Sequence, residues 1–341
     1  MFLEQILIDA FLDREACASA APATRSLTMD AGDAGAFAER TARSNVTTDD
    51  DLPAWLEHDA CVLEAVAPDL TCALRESAAR NQPVILVRGM PVDPAVAATP
   101  YDGIVDSTAS HRAIVNARAV AGCLGLHPIA YAGESARVPH AVCPTHAARG
   151  QRSSHGFDAE LPFHTDYADR PIDEPVRDQS PAATALIFAV ERAEPAIPMR
   201  YVPTRRLLSE LSAEQIRVGR HEEFAVAAPA IFANGHSPVP CRLFLPGGRC
   251  RLNLGTMTGL TDRATRLLRD IAAILADETL TEQIPVRRGD IVILDNQHAI
   301  HRRAAFAPRW DGTDRYFIRM SATPDPRAGI AADPCRPWLW S

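Results

Sequence analysis

Asp314-Arg315-Tyr316-Phe317-Ile318-Arg319-Met320 alternates with the period of a strand. In an extended chain Arg315, Phe317 and Arg319 share one face, and Tyr316, Ile318 and Met320 share the other. The Tyr/Ile/Met face has the makings of a packing surface. The arginine face looks either into solvent or into a barrel mouth, where buried guanidinium groups need anionic partners. Arginine suits bidentate carboxylate capture, so the inward alternative brings a chemistry with it.

The same kind of pattern spreads outward from this stretch. Ile284–Val286 and Asp290–Leu294 are strand-like, and short apolar segments bounded by Pro, Gly or charges recur at 138–143, 161–165, 184–190 and 199–202. Gly247-Gly248, between Cys241 and Asn253, reads as a hairpin turn. Helical spacing is concentrated in the first third, over 51–79 with a break at Pro68 and over 104–125, ending at Gly125 before Pro128. Between them Pro83–Gly89 is a short apolar strand, and a later helix is expected over Asp262–Glu278 with Thr261 as its cap. The chain is therefore expected to be mostly β with flanking helices, built on one antiparallel jelly-roll or barrel core. Residues 1–50 show little periodicity and are expected to form a loosely packed extension with room for one helix, leaving 51–341 as a single domain.

Composition excludes several partners. A net charge of −8 with no basic tail argues against nucleic acid, and all 35 basic residues are arginine. The start, MFLEQILIDAFLDRE, carries acids within its apolar run and is not expected to be a signal peptide. No apolar stretch approaches the ~18 residues of a membrane span. Eight scattered cysteines without a CxxC pair fit reduced thiols, so a cytoplasmic location is expected.

Leu161-Pro162-Phe163-His164-Thr165-Asp166 supplies the candidate chemistry. On an extended segment His164 and Asp166 point the same way and can grip one face of a divalent metal. The triplet alone is common, since 11 His and 43 acidic residues in 341 yield about one by chance. A second, His221-Glu222-Glu223, lies in the charged run Arg217 to Glu223 and reads as a solvated helix end or loop. What raises His164/Asp166 above chance is a possible third ligand in the distant half, because two histidines and one carboxylate with open positions suit non-haem Fe(II).

That distant half carries a longer pattern. From Gly289 to Arg315 the chain reads G-D-x-x-x-x-D-N-x-x-x-x-H, followed by P-R-x-D-G-x-D-R. This resembles the clavaminate synthase-like Fe(II)/2-oxoglutarate oxygenases, and within them amino-acid hydroxylases of the asparagine oxygenase and viomycin-pathway arginine hydroxylase type. Weaker similarity runs from about Pro83 to Thr323. The resemblance implies a double-stranded β-helix, with His164, Asp166 and His301 as iron ligands; the spacing from Asn296 selects His301 over His298. It also implies that Arg315 binds the distal carboxylate of 2-oxoglutarate and Arg319 the α-carboxylate of an amino-acid substrate. Asp166 stands where many of these hydroxylases have Glu. Arg251-Leu252-Asn253-Leu254-Gly255 lacks the acids with which the arginine hydroxylases hold a guanidinium, so Asn253 is a candidate substrate contact. His140 stands near a position where the family contacts the substrate amine.

The function so implied is hydroxylation of an unactivated carbon, most simply Cβ, of a free or lightly modified L-amino acid, using Fe(II), 2-oxoglutarate and O₂. A place in specialised metabolism such as antibiotic biosynthesis is expected. Desaturation or ring closure on the same scaffold is the alternative, with a catalytically silent binding protein behind it. Residues 167–181, polar and Pro-rich, are either a lid over the site or an ordinary surface loop.

Overall fold

The computed structural model describes residues 23–46, 51–134, 136–173, 179–228 and 238–341. In chain order its strands are β1 (Thr24–Thr28), β2 (Val84–Arg88), β3 (His127–Tyr131), β4 (His140–Val142), β5 (Leu161–His164), β6 (Ala185–Arg192), β7 (Met199–Pro203), β8 (Phe224–Val226), β9 (Phe244–Leu245), β10 (Arg249–Cys250), β11 (Met257–Gly259), β12 (Glu282–Ile284), β13 (Ile291–Asp295), β14 (Ala299–Arg303), β15 (Tyr316–Thr323), β16 (Ala331–Asp333) and β17 (Arg336–Trp340). The helices are α1 (Ala31–Arg40), α2 (Leu52–Val66), α3 (Pro68–Ala79), α4 (His111–Cys123), α5 (Thr204–Ser209), α6 (Ala213–Gly219) and α7 (Asp262–Leu275).

Two sheets dominate. The main one runs β1-β2-β13-β6-β15-β3-β17-β16, with β4 also on β15, and the minor one runs β12-β7-β14-β5. Alternation along the strands assigns the main sheet's faces. Ile291, Ile293, Ile318 and Met320 turn to a core shared with Phe37, Leu63, Leu74 and Val120 of α1 to α4. Val292, Leu294 and Phe317 turn the other way, into a core with Met199, Tyr201 and Ile284 of the minor sheet. The minor sheet's outer face, Phe163, Val202 and Ile300, is covered by α5, α6 and α7 through Leu207, Ile216 and Leu267. Each such buried Leu, Ile or Phe contributes roughly 1.5–3 kcal/mol. The chain is thus helices, main sheet, minor sheet, helices, and the space between the sheets is where a site can form.

The expected elements mostly form, and their ends have local causes. α4 starts at His111 rather than near 104 because Asp106 caps a preceding turn, accepting from the amides of Thr108 and Ala109. α7 stops at Leu275, and Asp277 caps a separate 3₁₀ turn behind it. β12 ends at Ile284, ahead of Pro285, which has no amide to donate to a ladder. No described helix is long and apolar enough to cross a membrane.

Within the first fifty residues, the described part is packed more firmly than expected. Residues 1–22 and 47–50 lie outside those described, but 24–40 are no loose appendage. β1 pairs in parallel with β2 over five residues, and Phe37 of α1 is fully buried. Gly89, at φ +78°, lets the two strands part here, since a Cβ would stand 2.6 Å from the Met29 carbonyl oxygen. A buried ion pair completes the attachment. Arg118 Nε of α4 donates to Asp59 Oδ2 of α2 at 2.7 Å, Ser44 Oγ donates to Asp59 Oδ1 at 2.6 Å, and Arg118 Nη1 donates to the Asn45 carbonyl. Removing one partner of such a pair strands the other, so Asp59→Ala should lower unfolding free energy by about 3–5 kcal/mol. Urea denaturation measures it, and a loss under about 1 kcal/mol, the range of an exposed pair, would contradict this account.

Candidate active site

Register brings the distant halves together. β14 pairs antiparallel with β5 so that His301 lies directly opposite His164. Their rings are 4.2 Å apart between centroids. Asp166 follows two residues past His164, after which Tyr167 takes φ +59° and turns the chain away. Asp166 Oδ1 then stands 3.1 Å from His164 Nε2 and 3.6 Å from His301 Nε2. One donor atom from each of the three lies within 4.8 Å of the others.

The donor set fits a divalent metal. His164 Nδ1 sits 2.8 Å from the Pro162 carbonyl, an acceptor that fixes the proton on Nδ1 and leaves the Nε2 lone pair for the ion. Burial, with His164 beside it, lowers the His301 pKa and favours the neutral, ligating form. Burial alone would raise the Asp166 pKa. Arg319, aided by His164 and His301, outweighs it and holds the carboxyl well below the usual range. Iron(II) would therefore be held by His164, Asp166 and His301, with one face of the ion left for other ligands.

His298 is elsewhere. Its Nδ1 meets Asp295 Oδ2 at 2.9 Å and its Nε2 meets the Gly247 carbonyl at 2.9 Å, so both ring nitrogens are spent latching the β13–β14 turn. His221 lies just past α6 in a bend, as its charged surroundings imply.

Asn296 was not singled out from sequence, yet it holds the ligand loop. Fully buried, it accepts from the Asp166 amide and donates to the Asp166 and Ala183 carbonyls, all at 2.8 Å. The signal for it was present, since Asn296 is the Asn of the D-N pair that precedes His301.

The inward face of β15 supplies the charges. Arg315 and Arg319 are 7% and 6% exposed, and both line the cavity that contains the three candidate ligands. Their surroundings differ. Arg319 Nη1 donates to Asp166 Oδ2 at 2.9 Å, and Nη2 donates to Glu134 Oε1 at 2.5 Å and to the Tyr167 hydroxyl at 3.1 Å. Burial alone would lower its pKa, but Glu134, Tyr167 and Asp166 raise it. Its Nε is buried without a partner. Arg315 has no ion pair among the described residues; its Nε is buried and unpartnered, and its guanidinium lies 4.1 Å from the Phe317 ring centroid. Burial, reinforced by the charge of Arg303, pushes its pKa down to about 9.

Glu134 is the other residue sequence reasoning missed, and nothing local marks it. It lies in the turn after β3, and only the tertiary fold sets it against Arg319. Its pKa would rise on burial, but Arg319 and His140 pull it below the usual value.

The remaining candidates sit at the margin. His140 is buried; its Nε2 is 2.9 Å from Ser154 Oγ and 3.8 Å from Glu134 Oε1, one layer behind the wall that Ser154 provides. Burial drops its pKa to about 3, so it is neutral. Asn253 bridges to His164 through the backbone, and its side chain accepts from the Gly255 amide at 2.9 Å, folded onto its own loop. It is not among the residues lining the cavity. Of the stretch 167–181, residues 174–178 lie outside those described. The segment before them is anchored by Arg170 on the Ser341 carbonyl and by Asp173 on Arg249.

Comparison with known proteins places the chain beside non-haem iron oxygenases. Residues 187–321 match the family described as Taurine catabolism dioxygenase TauD, TfdA family. An L-asparagine oxygenase of Streptomyces coelicolor is 31% identical over 141 residues, covering 40% of this chain and 41% of that protein. An L-lysine 3-hydroxylase of Catenulispora acidiphila is 24% identical over 264 residues, covering 72% and 68%. Among solved structures, asparagine oxygenase with Fe(II), 2S,3S-3-hydroxyasparagine and succinate superposes with a TM-score of 0.79 at 24% identity, covering 92% of this chain and 98% of that one. The non-heme iron oxygenase OrfP with Fe and alpha-ketoglutaric acid gives 0.78 at 23%, covering 93% and 100%. At these identities the structural likeness establishes a shared fold.

Proposed function

We propose that this chain, whose residues 187–321 match the TauD/TfdA dioxygenase family, is an Fe(II)- and 2-oxoglutarate-dependent hydroxylase of a free or lightly modified L-amino acid, on a double-stranded β-helix core. The observation that carries this reading is Arg315, a buried guanidinium without a counter-charge among the described residues, lining the same cavity as three convergent candidate metal ligands. A buried cation in that state calls for an anion, and a dicarboxylate that also ligates the metal satisfies both demands.

When bound, iron and 2-oxoglutarate supply oxidation of an unactivated C–H by O₂, one oxygen atom entering the substrate as hydroxyl while the co-substrate becomes succinate and CO₂. The chain's own residues do the placing. Arg315 holds the distal carboxylate at the far end of the cavity. Asn296 fixes the Asp166 backbone, and Arg319 fixes its second carboxylate oxygen, leaving Oδ1 toward the metal. Arg319 lines the cavity with its Nε lacking a partner among the described residues, so it is the group available to an α-carboxylate, while Glu134 behind it holds the guanidinium in place. A succinate-release screen over the twenty amino acids and related non-proteinogenic ones tests the reading, with product gaining one oxygen in mass. Absence of substrate-stimulated succinate, or a product lighter by two hydrogens, would refute hydroxylation.

The substrate should carry a free α-carboxylate and a neutral side chain. Among the described residues that line the cavity the only acid is Asp166, itself a candidate metal ligand, so a guanidinium or ammonium buried there would go uncompensated, which is costly. Calorimetric titration of the metal- and 2-oxoglutarate-loaded protein should show some neutral amino acid binding more tightly than L-arginine or L-lysine. Its carboxamide should bind at least about tenfold more weakly. Tighter binding of arginine or lysine than of every neutral amino acid would sink the side-chain claim, and equal binding of acid and amide would sink the role of Arg319.

A further inference from the structure

We infer that Arg303 is a second arm for the distal carboxylate of the co-substrate, reaching it from the minor sheet while Arg315 reaches it from the main sheet. The inference rests on the co-substrate reading above and adds a residue to it. Arg303 lies two positions after His301 on β14, so strand alternation sends it to the metal's side of the sheet. It lines the same cavity as Arg315 and is 7% exposed.

Its hydrogen bonds satisfy donors without balancing charge. Nη1 donates to the carbonyls of Ala304 at 3.0 Å and Phe157 at 3.5 Å, Nη2 donates to that of Ala159 at 3.2 Å, and Nε is buried with no partner. Asp158 and Glu160 offset part of the burial cost of Arg303 but do not overcome it, and each also has another arginine, Arg149 at 3.9 Å and Arg302 at 3.5 Å. Two neighbouring guanidiniums thus share a cavity wall in which Asp166, a candidate metal ligand, is the only carboxylate among the described residues. A carboxylate offers about four acceptor positions and can take donors from two forks at once. One anion seated there would relieve both burial costs and the repulsion between the arginines, which one arginine alone would not require.

The competing explanation is that Arg303 only clasps the 157–159 segment to β14. The two accounts differ over which ligand notices its removal. Protein loaded with Zn(II), which permits no turnover, is titrated calorimetrically with 2-oxoglutarate and with 2-oxopentanoate. The latter has the same chain length but ends in methyl instead of carboxylate. Arg303→Gln is expected to weaken 2-oxoglutarate by roughly tenfold or more while leaving 2-oxopentanoate unchanged. Unaltered 2-oxoglutarate affinity, or an equal loss for both acids, would overturn the assignment and leave Arg303 as a clasp. Should Arg303→Gln fail to fold, Arg303→Lys keeps the charge and stem without the fork. It is then expected to show a smaller loss, again confined to the dicarboxylate, and an unchanged ratio of the two affinities would overturn the inference. A wild-type protein that binds 2-oxoglutarate, and loses it in Arg315→Gln but not in the Arg303 variants, would refute this inference alone. A wild-type protein that binds neither acid would refute the co-substrate reading itself.

Discussion

His301→Ala is expected to lose both stoichiometric Fe(II) binding and turnover, while His298→Ala keeps most of each. The two imidazoles are three positions apart, and only geometry separates them. His301 Nε2 faces Asp166 Oδ1 and lies across the ladder from His164. Removing it leaves two ligands where a facial site needs three. His298 spends both nitrogens on Asp295 and Gly247. Its loss removes the ring that ties the β13–β14 turn to the Gly247 carbonyl, at about 1 kcal/mol for a hydrogen bond lost. Metal content of the purified variants and succinate release under saturating Fe(II) decide the matter. An inactive His298→Ala beside an active, metal-loaded His301→Ala would show that the ligand set has been misassigned.

Arg315→Ala should raise the apparent requirement for 2-oxoglutarate by well over tenfold. Truncating one partner of a buried charge pair typically costs about 2–5 kcal/mol, and each ~1.4 kcal/mol is a factor of ten. The penalty should fall on the co-substrate rather than on iron, because Arg315 contacts none of the three ligands. Fe(II) affinity measured without 2-oxoglutarate is accordingly expected to stay within about twofold of wild type. Identical 2-oxoglutarate dependence in the variant would remove the strongest support for the proposed function.

Asn296 and Glu134 show why part of the site escaped a linear reading. Asn296 stands inside the pattern that selects His301, but a motif position says nothing of where a side chain's hydrogen bonds go. Its partners are the backbone of Asp166, 130 residues away, and of Ala183, 113 away. Glu134 stands in no pattern, and its meaning comes from a strand 185 residues later. Arg319, given a substrate carboxylate by the family resemblance, also pairs with two protein acids, Asp166 and Glu134, a duty that a motif position cannot reveal.

The sequence by itself determined what depends on local periodicity. Strand alternation put Phe317 and Arg319 on one face of β15, with Arg315 just before the strand on the same side, and Tyr316, Ile318 and Met320 on the other, because each residue's side is set by its own backbone. The turn at Gly247-Gly248, the Thr261 cap and the break at Pro68 followed from conformations those residues favour. Pairings between distant segments were decided only by the tertiary structure. Residues 24–40 look featureless alone because β1 is a short strand whose partner, β2, lies about sixty residues on, and a parallel pair leaves no hairpin signal between its strands. Likewise His164, Asp166 and His301 become one donor set only when β5 and β14 come into register, since convergence of side chains is a property of the sheet and of no single strand.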